Sequence, residues 1–172
     1  MKQPRKQDRC VPFILVMNEN ERYMLEALKQ AKIALQNNEV PVGAVIVYQG
    51  KIIGRGYNTR ETTSQVTGHA EMNAIKQACE YLNSWKLDDC SIYVTLEPCL
   101  MCAGTLQQGR IAKIYYGASD YKAGALGGKT DILAFQGLNH YPLVFSHILE
   151  KQCKELIDSF FQNIRIDKQK GL

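Results

Sequence analysis

Two short segments constrain this chain more than anything else in it: Gly68-His69-Ala70-Glu71 and Glu97-Pro98-Cys99-Leu100-Met101-Cys102. Each follows an extended or loop stretch and opens a helical pattern. From His69 to Leu82 the residues Ala70, Ala74, Ile75 and Ala78 keep helical spacing, and Cys99 to Gln108 reads as a short helix. Pro98 stands where the first helical turn tolerates proline, because that backbone N–H has no helical partner. Cys99 and Cys102, three apart, share one face of a turn. Both sit at a helix N-terminus, where the dipole favours the thiolate that a metal needs.

Around these two starts the chain alternates strand and helix patterns. Residues 20–37 read as a helix with Asn20 as N-cap and with Met24, Leu28, Ala31 and Leu35 on one face. Val42–Tyr48 and Ile52–Tyr57 read as a hairpin turning at Gln49-Gly50-Lys51. Ser91–Leu96, Lys113–Gly117 and Pro142–Phe145 are strand-like. A final helix from Leu149 to Ile166 presents Leu149, Cys153, Leu156, Phe160 and Ile164 on one face. The expected architecture is a three-layer α/β/α sandwich whose central sheet of about five strands is mixed, because of the early hairpin.

Length allows one domain, and 172 residues suffice to bury a core without disulfide staples. The net charge of +4 is unevenly placed. Lys2, Arg5, Lys6 and Arg9 stand against Asp8 alone, so most of the excess lies in residues 1–16 and is weak evidence for a nucleic-acid-binding surface. The run Val11–Met17 is too short and too interrupted by Pro12 for a signal-peptide core, and no apolar stretch approaches a membrane span. The expectation is a cytoplasmic protein whose residues 1–16 are a disordered extension or a misassigned start, with one domain over 17–172. Six cysteines would allow fifteen disulfide pairings. Cys79 and Cys153 instead lie in helical patterns as small hydrophobes, Cys90 opens a strand, and Cys10 belongs to the extension.

His69, Cys99 and Cys102 make a His/Cys/Cys set, which leaves the fourth tetrahedral position of zinc open for chemistry. Zinc so held lowers the pKa of bound water. Glu71, two residues beyond His69, can stay in the same cleft without ligating and carry a proton. A Cys-x-x-Cys can also be a redox pair, and a structural zinc site would recruit a fourth ligand such as His140 or His147. Gly124–Thr130 resembles a phosphate-binding loop, but Ala123 stands where that motif needs glycine, so no nucleotide cofactor is expected.

Together the segments form the H-x-E…P-C-x-x-C signature of the zinc-dependent nucleoside and nucleobase deaminases. The runs Glu39–Val45, His69–Ile75, Thr95–Gly104, Tyr116–Asp120, Leu138–His140 and Phe160-Phe161 resemble bacterial tRNA-specific adenosine deaminases, within the cytidine/deoxycytidylate deaminase superfamily, over residues 17–167. The resemblance implies hydrolytic conversion of adenosine to inosine at the anticodon wobble position of a tRNA, an arginine tRNA being the expected one. It implies a homodimer with one zinc per subunit. Carried over, His69, Cys99 and Cys102 hold zinc and Glu71 shuttles the proton. Asn58 reads the flipped base, and Ala70 with the Cys99 backbone lines the pocket. Asp120, Lys122, Asn139, His140, Phe161 and Arg165 are the candidate RNA contacts. Phe160 fits the core stripe, so Phe161 is the better stacking residue. Gly127-Gly128-Lys129 stands where the family has Gly-Ser-Leu, and Tyr141-Pro142 where a basic residue is frequent. The alternatives are a deaminase of free guanine or cytosine and a non-catalytic RNA-binding subunit.

Overall fold

The structure, a computed structural model, describes residues 17–170; the extension at 1–16, with Cys10 and most of the excess charge, lies outside the described residues. Five strands form one sheet: β1 (Gly43–Tyr48), β2 (Lys51–Tyr57), β3 (Cys90–Leu96), β4 (Lys113–Ala118) and β5 (Leu143–Phe145). Their order is β2-β1-β3-β4-β5. The β1 strand runs antiparallel to β2 and β3, while β3, β4 and β5 run parallel, so the sheet is mixed as expected.

Side-chain alternation along these strands produces the three layers. Ala44, Ile46, Ile92, Val94, Ile114 and Tyr116 face α3 (Ala70–Leu82) and α4 (Leu100–Gln108). Val45, Val47, Tyr93 and Tyr115 face α1 (Glu19–Gln36) and the start of α5 (Glu150–Lys170). On that second face the rings of Tyr23, Tyr93, Tyr115 and Phe145 follow one another at 5.1, 4.5 and 4.7 Å. The first face matters for the site, because α3 lies directly on β2. A Cβ at Gly54 or Gly56 would overlap the α3 carbonyls of Ala74 and Ala70. Two buried glycines of the edge strand β2 thereby let α3 approach this closely.

Several local expectations are corrected. The α1 helix is capped by Asn18, not Asn20. Asn18 Oδ1 accepts from the Glu21 amide at 2.9 Å while Glu21 reaches back to the Asn18 amide, a capping box that Asn20 cannot build. Asn20 accepts instead from the Tyr93 hydroxyl at 2.8 Å. Leu35 is exposed, because the buried face of α1 runs through Met24, Ala27, Leu28, Ala31 and Ala34 and leaves Leu35 beside it. The hairpin turns in two residues, Gln49 and Gly50, both at positive φ, and Lys51 already belongs to β2. The final helix continues to Lys170, but along the expected stripe Cys153 alone is fully buried; Phe160 and Ile164 are half-covered, since α5 packs only through its first turns. Cys79 is half-buried. Two short elements had no periodicity to betray them: α2 (Arg60–Thr63) and the 3-10 turn Ile132–Ala134. Among the described residues, no helix is long and apolar enough to cross a membrane.

Candidate active site

The expected helix starts are one residue off, and the offset is informative. His69 is the N-cap of α3 and Cys99 the N-cap of α4, both with extended backbone and neither using its side chain as a cap. Pro98 therefore precedes the cap instead of occupying the first turn. The side chains that would close these helix ends point at each other. His69 Nδ1 lies 3.6 Å from Cys99 Sγ and 3.5 Å from Cys102 Sγ. Cys102 sits three residues into α4, so cap and third residue share one edge, the spacing that a capping box uses for other chemistry.

The set fits a tetrahedral cation. Ligands at about 2.1 Å for nitrogen and about 2.3 Å for sulfur place N and S roughly 3.6 Å apart. The three ligand atoms lie within 4.8 Å of one another, and no other such His/Cys/Asp/Glu group occurs among the described residues. Protonation agrees. A hydrogen bond from the Cys102 thiol, and a further one from His69, holds Cys99 down at about 4 despite its burial. The Cys102 thiol, donating to Cys99 and fully buried, is pushed far up. His69 is raised, chiefly by its hydrogen bond to Cys99. One negative sulfur thus forms without outside help at the positive ends of two helices.

Glu71, in the first turn of α3, is 4% exposed. Burial pushes its carboxyl up to about 7, with the Cys99 thiolate adding to the shift. It stands beside the metal-capable group without belonging to it. A buried, non-ligating carboxyl near neutrality can both take and return a proton.

These side chains line a cavity of about 210 Å³, in which Asn58, His69, Ala70, Glu71, Cys99 and Asp120 take part. A cavity of about 150 Å³ admits benzene, so this one is suited to one flat heterocycle. Asn58 is 8% exposed, yet its amide makes only two long main-chain contacts, with the Val40 carbonyl and the Arg60 amide, both 3.4 Å. The second is the loop-capping arrangement an asparagine takes two residues before its partner. Neither contact saturates the amide, which faces the cavity with donor and acceptor capacity to spare. Asn73 of α3 steadies it from below, donating to the Tyr57 carbonyl at 2.9 Å and the Thr59 hydroxyl at 3.1 Å.

The remaining sequence candidates lie outside the cavity lining. Lys122 is exposed on the loop after β4, where its amide bonds Asp120. Asn139 accepts from Gln107 at 2.9 Å, and His140 Nε2 meets the Ile111 carbonyl at 2.6 Å, so both fasten the α4–β4 region to the chain before β5. Phe161 and Arg165 are exposed on α5. The cavity also contains residues that the motifs did not single out, among them Glu39, Arg60 and Glu97. Glu39 is 1% exposed. Burial pushes its carboxyl up, but the Thr62 amide and hydroxyl, at 2.6 and 2.7 Å, outweigh it and the net shift is down. Its Glu-Val-Pro-Val-Gly run was visible; nothing in the run says that a carboxylate folds inward.

Comparison with known proteins gives a consistent picture. The sequence model of MafB19-like deaminases matches residues 18–165. A tRNA-specific adenosine deaminase of Bacillus subtilis (strain 168) is 43% identical over 153 residues, which is 89% of this chain and 95% of that protein. Among solved structures, one from a study of A-to-I editing by tRNA:A34 deaminases at the wobble position of transfer RNA superposes with a TM-score of 0.74. It is 39% identical and covers 78% of this chain and 98% of its own. A guanine deaminase from Bacillus subtilis superposes with a TM-score of 0.56 at 38% identity, covering 60% of this chain and 66% of its own.

Proposed function

The chain belongs to the tRNA-specific adenosine deaminases, and from that premise we propose that it hydrolyses a tRNA adenosine to inosine and ammonia at the anticodon wobble position. The observation that carries the proposal is a cavity of base size lined by His69, Cys99 and the non-ligating Glu71, with the buried Cys102 completing the donor group. Zinc bound by His69, Cys99 and Cys102, one per subunit, would supply a Lewis acid that lowers the pKa of a water molecule.

The chain's own residues do the rest. Glu71 accepts a proton from the attacking water and passes it to adenine N1 as C6 becomes tetrahedral. It then carries the second proton to the departing amino group, so that water and adenosine leave as inosine and ammonia. Asn58 holds the base by its edge, donor and acceptor together. The backbone amides at Ala70 and Cys99, at two helix starts, line the wall where negative charge develops. Asp120 lines the cavity and is assigned to the nucleotides next to the target base. Lys122, Asn139, His140, Phe161 and Arg165 are assigned to an anticodon arm, of an arginine tRNA, reaching beyond the cavity. Residues 17–172 act as one domain, the working form is a homodimer in the cytoplasm, and no nucleotide cofactor takes part.

The likeness to a guanine deaminase favours one second reading, a deaminase of free bases, for which the cavity alone would suffice. One assay separates the two. Purified zinc-loaded protein is incubated with anticodon stem-loops, free adenosine, guanine and cytosine, and inosine and ammonia are measured. Inosine in the stem-loop is the expected result; ammonia from guanine with an untouched stem-loop would overturn the proposal.

A further inference from the structure

The glycine-rich run Gly124–Thr130, rejected as a nucleotide-binding loop on its spacing, binds an anion after all, and the anion is internal. Glu97, one residue before Pro98, is 2% exposed. Its Oε1 accepts from the Leu126 and Gly128 amides, each at 2.9 Å, and its Oε2 accepts from the Asp120 amide at 2.9 Å. No ion pair among the described residues involves Glu97. Three backbone N–H dipoles converge on the carboxylate, as they do on phosphate in phosphate-binding loops. Gly124 and Gly128 are glycine for a spatial reason, since a Cβ at either would fall on the Glu97 carboxylate and on the Asp120 carbonyl beside it. A second strap runs alongside: Ala125 donates to the Pro98 carbonyl at 2.9 Å, and Cys99 pairs with Gly124. The segment so tied contributes Asp120 and Ala123 to the cavity wall.

We propose that Glu97 is a positioning residue for the substrate: it gathers the Asp120–Thr130 loop around itself and fixes that loop as the wall against which the target nucleotide packs. This inference rests on the cavity being the substrate site. It specifies the chemistry at position 97. Three donors face two oxygens, so only a group that accepts at both ends satisfies them. A glutamine, though nearly the same shape, sets its NH₂ against at least one N–H whichever way it turns.

The test uses the full-length, zinc-loaded protein. In Glu97→Gln, hydrogen exchange at the Leu126 and Gly128 amides should speed up about tenfold or more, the loss expected when a bond to a charged acceptor fails. KM for the stem-loop should rise by a similar factor while kcat changes much less, and bound zinc should stay at the wild-type level. Gly128→Ala displaces the carboxylate without touching its charge and should move exchange and KM in the same direction; it carries the test if Glu97→Gln does not fold. In Glu97→Ala, where the carboxylate is gone and only the Asp120 carbonyl still opposes a Cβ at position 128, adding Gly128→Ala should cost less than it does in the wild type. Wild-type exchange at both amides in a folded Glu97→Gln variant would overturn the proposal. So would loss of zinc with an unaltered loop, which would place Glu97 in the service of Cys99. If the wild-type protein leaves the stem-loop untouched, the functional reading fails by itself, and the exchange and double-variant measurements still decide whether Glu97 orders the loop.

Discussion

At the starts of α3 and α4, side chains from segments thirty residues apart meet within hydrogen-bonding range, with His69 touching both Cys99 and Cys102. The residues assigned to the anticodon arm behave differently. Asp120 reaches the cavity, Lys122 and Phe161 are exposed, and His140 is engaged with the Ile111 carbonyl. The first region is a compact, buried cluster whose groups lie far from their ordinary values: burial pushes Glu71 up to about 7, and hydrogen bonds from Cys102 and His69 hold Cys99 down at about 4. The second is a set of separate positions on a loop, a connection and a projecting helix. Bond making needs donors fixed within a fraction of an ångström, so it concentrates on rigid helix ends. Binding a long polyanion needs only charges and rings along a path, so it spreads.

Three substitutions sharpen that contrast, in falling order of effect. Glu71→Ala should reduce deamination by about 10²–10⁴-fold or more, the range for a lost general acid–base, while metal analysis still finds about one zinc per chain. Loss of the metal together with activity would break the separation between proton shuttle and ligands. Asn58→Ala should lower kcat/KM on the stem-loop by about 10–100-fold, as removal of a hydrogen-bonding pair from a buried site does, with zinc content and melting temperature little changed. A large loss of melting temperature instead would mean that its contacts with Val40 and Arg60, not base reading, are its main use. Arg165→Ala should weaken binding of the stem-loop modestly. It should lower the slope of log affinity against log salt by about one, with no change toward free adenosine. An unchanged slope would remove the far part of α5 from the RNA path.

How far the fold could be read from the sequence depended on whether the signal was periodic. The unbroken apolar runs Ala44–Val47 and Ile92–Val94 suit strands covered on both faces, and the layers follow from it. The cap of α1 was misplaced by two residues, because Asn18 and Asn20 are equally good cap residues and only the Glu21 that answers Asn18 distinguishes them. The α5 stripe was overread: Phe160 and Ile164 keep helical spacing with Cys153, but nothing in the spacing tells that contact with the core stops at about Leu156. In the site, His69, Glu71, Cys99 and Cys102 were legible because each pair sits within one helical turn. Glu39 and Glu97 were not, since an isolated glutamate carries no mark of whether it turns inward.

The sequence by itself determined the chemistry. Short-range spacing at two helix starts specifies a donor set and a proton carrier whatever surrounds them, because a helical turn has one geometry. Only the tertiary structure decided what that chemistry is enclosed by. The Asn58 amide, the inward Glu39 and the loop gathered on Glu97 reach the cavity through contacts spanning tens of residues. Examples are the bond from Thr62 to Glu39 and those from Leu126 and Gly128 to Glu97. Such contacts depend on how the strands order and how closely α3 lies on β2, and those follow from packing of the whole core, which no local pattern encodes.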